Sequence, residues 1–312
     1  MLSLRVFCPA DLSAEAEQIL AEEPSVSSLA VIPGGSREPV GDLIIASVPR
    51  TTADRVIERL TALGVPARGA IETTPVSGWT SQRALDIQHS DAPDDQDAVV
   101  WMDVVRDAYD SSSLTWGFLA FMSMATFIAA IAIVLDSQVL IIGAMVLGPE
   151  FGAIAALGVA LVTHRPHLLW SALRTLLLGF AIAIALSTAV FALLAQVGWV
   201  TMAQVSGPRP LTEFIYRPDN WSVVIAIVAG IAGVLALVTG RSATLTGVFI
   251  SVTTIPAAGN IALALPFRDW PEVLGSALQL GINITGMAVA GSLTLLVLRR
   301  VRAARRRARQ RR

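Results

Sequence analysis

The spacing of apolar positions changes near residue 110. Before that point, short apolar runs alternate with polar residues. After it come six long apolar runs, at 114–135, 137–161, 170–197, 221–239, 242–265 and 272–298. Each run is close to the roughly 20 residues that a helix needs to cross a bilayer. The pattern predicts a soluble domain over residues 1–75 and a six-span α-helical membrane domain over residues 114–298.

The first 75 residues predict an α+β domain. Residues 2–8, 26–32, 42–48 and 65–74 alternate like strands, and residues 10–23 and 51–64 have the apolar spacing of helices. The turn-rich stretch 33–41 is interpreted as the linker between the second and third strands. The resulting β-α-β-β-α-β order is that of a ferredoxin-like domain. Such small domains often pair, so we expect a homo-oligomer formed through this domain.

Residues 76–113 are predicted to join the two domains. The first part is polar and acidic and is typical of a linker. Residues 98–109 have apolar positions at helical spacing, which predicts an amphipathic helix. That helix either lies along the membrane face or packs under the soluble domain, and the sequence leaves both open.

Composition supports a membrane protein, and the charge is sorted along the chain. The chain is 54% hydrophobic with a mean hydropathy of +0.64, which is too apolar for a soluble globular protein. Residues 1–110 carry 18 acidic and 8 basic residues, whereas residues 299–312 carry nine arginines and no acid. The start of the chain has no apolar segment of signal-peptide length, so we expect no cleaved export signal.

The arginines predict the orientation. One side of the predicted bundle carries Arg165, Arg174, Arg241 and the tail 299–312, and the other side carries Arg209, Arg217 and Arg268 beside four acidic residues. The positive-inside rule then places both termini in the cytoplasm, for a multi-pass protein of the inner cell membrane. We expect the tail to bind anionic lipid and not nucleic acid.

Two of the apolar runs contain a related motif. LGPEFGAI (147–154) aligns with TIPAAGNI (254–261) at a constant offset, which pairs Pro149 with Pro256 and Gly152 with Gly259. Each motif lies in a run that follows a tight hairpin. Three spans in each half would make equivalent spans cross in opposite directions, so the pattern predicts an inverted 3+3 repeat with two broken helices.

The broken helices indicate a candidate site for a solute or an ion. Proline removes a backbone donor, and the freed carbonyls need polar partners inside a membrane. Paired Pro/Gly interruptions in two halves are typical of a transporter's central site. The alternative is that Pro149 and Pro256 only kink helices for packing. Further candidate residues at similar depth are Asn260, Gln279 and Asn283.

Glu150 adds a carboxyl group beside the first break. A carboxyl group inside a bilayer is expected to face protein or water, and burial favours its protonated form. It could therefore carry a proton or a cation. Alternatively, a protonated Glu150 donates a hydrogen bond to a carbonyl that Pro149 leaves free.

No candidate catalytic group or cofactor site is visible in the sequence. Cys8 is the sole cysteine, and His164 and His167 alone are too few for a metal site, so we expect no metal and no cofactor. We also expect that the protein is not an enzyme, because no nucleophile–base pair stands out. The leading hypothesis is a small-solute or ion transporter. The alternative is a membrane-anchored sensor or scaffold whose N-terminal domain binds a ligand or partner.

Three sequence blocks resemble a known family. IIGAMVLGPEFGAI (141–154), TGVFISVTTIPAAGNIALAL (246–265) and LGSALQLGINITGMAVAG (274–291) are similar to the membrane proteins grouped as domain of unknown function 389. The resemblance covers roughly residues 100–298. It implies several spans, often with an added soluble domain, and supplies no substrate.

The chain departs from that family pattern at two positions. The resemblance implies an apolar residue after the first proline and a second proline where this chain has Ala153. Glu150 would then be a feature of this branch of the family. The two proline breaks and Asn260 are, on that comparison, better candidates for a shared mechanism.

Overall fold

The computed structural model describes residues 1–76, 81, 101–239, 248 and 252–310. These residues form two compact units, Met1–Val104 and Val105–Arg312. Most of the predicted linker 76–100 lies outside the described residues.

The N-terminal unit is a four-stranded sheet with helices. In chain order its elements are β1 (Leu2–Pro9), α1 (Ser13–Ala21), β2 (Ser28–Arg37), β3 (Val40–Val48), α2 (Arg50–Ala62), the four-residue α3 (Val65–Arg68) and β4 (Ala70–Pro75). The strand order is β2-β3-β1-β4, and every neighbouring pair is antiparallel. The two strands that pair with β1 are β3 and β4, and neither is the next strand in the sequence, as in a split β-α-β arrangement.

Alternation along the strands produces the core of this unit. Leu2, Leu4, Val6 and Cys8 are fully buried on one face of β1, while Ser3, Arg5 and Phe7 between them are more accessible. Side chains of β3 and of both longer helices complete the same apolar cluster. The face of the sheet that carries these residues is therefore the one the helices cover.

Two boundaries in this unit differ from the prediction. The stretch 33–41 is not a linker, because β2 continues to Arg37 and β3 begins at Val40. An irregularity in the pairing between Ile32 and Ser36, with Gly34 in the left-handed region, absorbs the glycine-rich part without ending the strand. Residues 65–68 were predicted as strand, but they form a helical turn that begins after Gly64.

The described part of the chain after residue 100 is helical. Its helices are α4 (Trp101–Ser111), α5 (Trp116–Val134), α6 (Gln138–Leu147), α7 (Glu150–Thr163), α8 (Pro166–Gln196), the short α9 (Met202–Val205), α10 (Asn220–Thr239), α11 (Thr254–Ala264) and α12 (Trp270–Gln310). Short 3-10 turns occupy Glu213–Ile215 and Leu265–Phe267. The amphipathic helix predicted near 98–109 corresponds to α4.

Four of these helices are long and apolar enough to cross a membrane. They are α5, α8, α10 and the Trp270–Val301 part of α12. The predicted second span, 137–161, is instead a pair of helices, α6 and α7, that are bent by 54° at Gly148–Pro149. Of the predicted fifth span, 242–265, most of the first half lies outside the described residues, and the described part is the shorter helix α11. Within the described residues, four to five membrane-capable helices are therefore present, and six complete spans are not.

Exposed tryptophans mark both ends of the long helices. Trp116 and Trp170 lie near the start of α5 and α8, and Trp199, Trp221 and Trp270 lie near the opposite end of the bundle. Trp170 and Trp199 are separated by most of α8, whose 31 residues span roughly 45 Å at 1.5 Å per residue. Indole rings favour the two interfaces of a bilayer. The spacing therefore fits helices that cross it.

Local capping begins α5 at one end of that helix and α6 just beyond its other end. Thr115 accepts a hydrogen bond from the backbone N–H of Phe118 and begins α5, and Ser137 accepts one from Leu140 and begins α6. Asp136 adopts a left-handed backbone conformation between α5 and α6. Asp136 and Ser137 lie among the three residues between α5 and α6, so the chain ends one helix and restarts the next within three positions, which produces the predicted hairpin.

Candidate functional site: two buried half-helices

The candidate site lies where α7 and α11 begin. Pro149 is the N-cap residue of α7, and Glu150 is its first residue. The Thr254 hydroxyl, on the first residue of α11, donates a 2.6 Å hydrogen bond to Oε1 of Glu150. Two helices that are 104 residues apart in sequence therefore start at the same point.

Both helices are buried almost entirely. All eleven residues of α11 are buried, and so are eleven of the fourteen residues of α7. A helix that is apolar on every side belongs inside a bundle. Helix α11 packs against α5, α8 and α12, and α7 packs against α8 and α12.

The two helices run in opposite directions along α12. In α11, Thr253 at the N-cap contacts Gln279 and Asn283, whereas Asn260 contacts Glu272 and Ser276, so α11 is antiparallel to α12. In α7, Gly158 approaches Ala288 and Ser292, and the Val162 carbonyl accepts a hydrogen bond from Arg299. Helix α7 is therefore parallel to α12. From their common start, the half-helices diverge toward opposite ends of the bundle.

A polar stripe on α12 faces α11. Its members are Glu272, Ser276, Gln279 and Asn283, at spacings of four, three and four residues, and all four are buried. This spacing keeps them on one face of the helix. The stripe makes two groups of contacts, one at the start of α11 and one further along it.

The first group surrounds the start of α11. The Thr253 hydroxyl oxygen accepts hydrogen bonds of 2.9 Å from Gln279 Nε2 and from Asn283 Nδ2. Next to it, Thr254 bonds to Glu150. Two buried acceptors here have no hydrogen-bond partner within the described part of the chain, namely Glu150 Oε2 and Gln279 Oε1.

Electrostatics makes this position unusual for a carboxyl group. The N-termini of α7 and α11 both direct partial positive charge toward Glu150, which favours a negative or strongly polar group there. No cationic side chain among the described residues forms an ion pair with Glu150. The group is 7% exposed, so water does little to stabilise its charge.

Gly148 provides the space for this carboxyl group. A Cβ atom at position 148 would lie 2.4 Å from Glu150 Oε2 and 2.6 Å from Ile255 Cγ1. The residue is extended, with ψ near 129°, which ends α6. Glycine therefore allows the start of α11 and the Glu150 side chain to pack directly over the break.

The second group is an ion-pair cluster about two turns along α11. Arg209 is 4% exposed and forms a salt bridge with Glu272. Its Nη1 also donates to Asn260 Oδ1 at 3.3 Å, and its guanidinium lies 5.1 Å from the Tyr216 ring centre. Asn260 Nδ2 donates to Glu272 Oε2 at 3.1 Å and to Ser276 Oγ at 2.9 Å.

The predicted site residues thus fall into separate places. Glu150, Gln279 and Asn283 come together around Thr253 and Thr254. Asn260 does not join them, because it lies six residues further along α11, roughly 9 Å away at the rise of a helix.

The matched prolines and glycines have mainly structural positions. Pro149 ends one helix and begins the next, as predicted. Pro256 lies in the first turn of α11, two residues after the helix begins, where a proline is tolerated, and most of the chain before this helix in the predicted span lies outside the described residues. Gly259 packs against the backbone of α5, and Gly152 packs against the Ser111 side chain.

Five residues of the two groups were not predicted. Thr253 and Thr254 lie in an apolar run with no signal of their own, and the position of Arg209 in the sequence indicates only an orientation. Glu272 and Ser276 had a visible signal, since they continue the helical spacing of Gln279 and Asn283. Among the residues described, no three His, Cys, Asp or Glu side chains form a group that could hold a metal ion.

Part of the chain is similar to a known protein family. The family model described as "Domain of unknown function (DUF389)" matches residues 145–289. The predicted resemblance to that family is confirmed. The match contains α7 to α11 and the part of α12 up to residue 289, which includes its polar stripe.

A curated relative carries no functional description either. It is an uncharacterized protein of Methanocaldococcus jannaschii, 24% identical over 179 residues, which are 57% of this chain and 53% of the relative. The chain thus aligns with about half the length of that relative. No solved structure matches the chain.

Proposed function

We propose that the second unit carries a small polar solute or an ion across the membrane, and that its site lies between α7 and α11. The observation that carries the proposal is Glu150 Oε2, a buried carboxyl oxygen with no partner among the described residues. A polar group left unpaired in an apolar interior costs on the order of several kcal/mol. A proton, a cation or a polar solute bound at this oxygen would remove that penalty.

The proposal includes six spans arranged as an inverted 3+3 repeat, with both termini in the cytoplasm. Support comes from the opposite directions of α7 and α11 and from their common starting point. Half-helices whose N-termini meet near mid-membrane are a recurrent way to build a transporter site. The neighbouring oxygen Gln279 Oε1 adds a second acceptor at the same level.

The direct test is transport by purified full-length protein in liposomes. Internal pH-sensitive and cation-sensitive dyes would follow H⁺, Na⁺ and K⁺, and isotope-labelled amino acids and carboxylates would follow solutes. We expect at least one of these fluxes above that of empty liposomes. Glu150→Gln is expected to reduce it by about tenfold or more, equivalent to about 1.4 kcal/mol.

A matched variant separates this effect from a general loss of a carboxylate. Glu213 lies in the same unit but pairs with Arg217 at an accessible position, so Glu213→Gln should leave the flux unchanged. Equal fluxes for wild type and Glu150→Gln would contradict the assigned site. No flux from correctly folded protein would contradict transport and would favour a membrane-anchored sensor or scaffold.

A further inference from the structure

The segment between α8 and α10 is held down over one end of the bundle. Residues 197–219 are called the strap here. The backbone N–H of Leu211 donates to Asp136 Oδ2 at 3.3 Å, and the Thr212 hydroxyl donates to Asp136 Oδ1 at 2.9 Å. Gln138 Nε2 adds a 3.3 Å bond to the Leu211 carbonyl. One side of the strap is therefore fixed to the turn between α5 and α6.

A second set of contacts fixes the strap near the turn before α12. The Ser206 hydroxyl donates to Asp269 Oδ2 at 2.6 Å. Val205 and Ile215 are fully buried and pack in an apolar cluster with residues of α5, α6, α8 and α11. The strap thus bridges two hairpin turns that belong to different halves of the proposed repeat.

Arg209 extends from the strap into the bundle. Its guanidinium reaches Glu272, on the first turn of α12, and Asn260, in the middle of α11. One nitrogen, Nε, is buried without a partner among the described residues. A strap that served only as a connection would not need a buried arginine, because a buried ion pair adds little stability over apolar packing.

We propose that Arg209 is a gating residue, and that the strap closes one end of a polar route leading to Glu150. This inference rests on the proposed transport function. The polar stripe of α12 connects the two levels, since Glu272 and Ser276 contact the Arg209 cluster and Gln279 and Asn283 contact the start of α11. Opening this end requires Arg209 to leave Glu272 while the ties at Asp136 and Asp269 loosen.

The geometry also explains why the closed state is favoured. Separating Arg209 from Glu272 would leave two charges in a buried environment, which is strongly unfavourable unless water or a solute replaces the partners. A hydrated route would supply those replacements. The arrangement therefore links opening of the strap to entry of polar molecules.

Thiol accessibility tests the gate without knowledge of the solute. Cys8 is the sole cysteine, so a Cys8→Ser background provides a protein without thiols. Ser276→Cys places a cysteine beside Asn260 in the Arg209 cluster, at a fully buried position, where its labelling reports access from solvent. In lipid nanodiscs, which expose both faces, a charged maleimide should label this reporter slowly. Arg209→Gln should accelerate labelling by about tenfold or more, since each factor of ten corresponds to about 1.4 kcal/mol of opening free energy.

A second reporter and a milder variant complete the design. Ser187→Cys is a buried position of α8 outside the cluster and should label equally slowly with either residue at position 209. Ser206→Ala combined with Thr212→Val removes two ties of the strap and leaves Arg209 in place, so it should also accelerate Ser276→Cys, by a smaller factor. This pair decides the question if Arg209→Gln fails to fold.

Two outcomes would overturn the gate. One is unchanged labelling of Ser276→Cys in the variants, and the other is equal acceleration at Ser187→Cys, which would indicate general loosening of the bundle. Failure of transport is a separate result, since labelling needs no transported solute. Accelerated labelling at Ser276→Cys without any flux would show that the strap opens, but it would contradict the proposed transport function.

Discussion

Thr254 donates its hydroxyl hydrogen to Glu150, and this single 2.6 Å contact joins the first residues of two buried helices. The helices come from different halves of the membrane unit and run in opposite directions. The remaining oxygen of the carboxyl group is unpaired within the described residues. Thr254 therefore positions Glu150 and supplies a side-chain hydrogen bond to its other carboxyl oxygen.

Removing the Thr254 hydroxyl should destabilise the membrane unit. Thr254→Val keeps the shape of the side chain but removes the side-chain hydrogen bond to the buried carboxyl group of Glu150. Loss of a buried hydrogen bond to such a group is expected to lower the unfolding free energy by about 1–3 kcal/mol. Thermal unfolding in detergent, followed by circular dichroism, would detect the lower midpoint.

Thr294→Val is the matched control for that variant. Thr294 lies on α12, and its hydroxyl donates only to the Ala290 carbonyl, which is already part of the helix. This substitution should change the midpoint little. If Thr294→Val lowered the midpoint as much as Thr254→Val, the hydrogen bond to Glu150 would contribute no more to stability than one within a single helix.

Gly259 should not tolerate a methyl group. A Cβ atom there would lie 2.8 Å from Ala129 Cβ, 2.9 Å from the Ala130 nitrogen and 3.0 Å from the Thr126 carbonyl oxygen. Two of these atoms are backbone, so α5 and α11 would have to separate. Gly259→Ala is expected to lower the unfolding free energy by about 1–3 kcal/mol through overpacking.

Gly281 provides the comparison within the same unit. It lies inside α12, and a Cβ atom there would have no neighbour within 4 Å. Gly281→Ala should therefore be neutral or stabilising by up to about 1 kcal/mol, because alanine favours the helix. Similar midpoints for Gly259→Ala and wild type would mean that the close approach of α5 and α11 is absent.

Much of the architecture could be predicted because it depends on local spacing. Alternating positions in residues 2–8 and 42–48 indicated strands, and those strands are present. The apolar runs indicated membrane helices, and Pro149 indicated the break between α6 and α7. In each case, the residues that decide the structure lie within a few positions of one another.

The candidate site was only partly predictable because its contacts join distant segments. Thr254 gains its role from Glu150, which lies in another helix, and nothing near Thr254 in the sequence indicates this. Arg209 looked like a surface charge, since its partner Glu272 is 63 residues away. The stripe from Glu272 to Asn283 could have been recognised from helical periodicity, because all its members lie on one helix.

Cys8 should report on the N-terminal unit. Burial raises the pKa of the Cys8 thiol, and the side chain is fully buried in the sheet core. A maleimide should therefore react only after the unit opens, and each 1.4 kcal/mol of opening free energy should slow labelling about tenfold. Ser28→Cys in a Cys8→Ala background, at an exposed position of β2, should react at once. Rapid labelling of Cys8 in the folded protein would contradict the packing of β1.

The same shift predicts a pH effect on stability. The folded unit holds the Cys8 proton more tightly than the unfolded chain, whose thiol has a pKa of about 8.5. The resulting stabilisation is complete below that pH and decreases as the pH rises through and above it. The unfolding free energy of wild type, measured by urea titration, should therefore fall between roughly pH 8 and pH 10 by more than that of Cys8→Ala. If the unfolding free energies of the two proteins had identical pH profiles, the pKa of the Cys8 thiol would not be raised in the folded unit.

Arg209 and Glu272 should behave as a coupled pair. Arg209→Met leaves the Glu272 carboxylate buried without its cation, which is expected to lower the unfolding free energy by about 3–5 kcal/mol. The double variant Arg209→Met/Glu272→Leu removes both charges, so it should recover most of that loss. Thermal midpoints of wild type, the two single variants and the double variant form a double-mutant cycle that isolates the interaction.

Arg217→Met with Glu213→Leu is the matched control, since that pair is accessible and should couple by less than about 1 kcal/mol. Additive effects at Arg209 and Glu272 would mean that the ion pair does not hold the strap, and the gate would lose its physical basis.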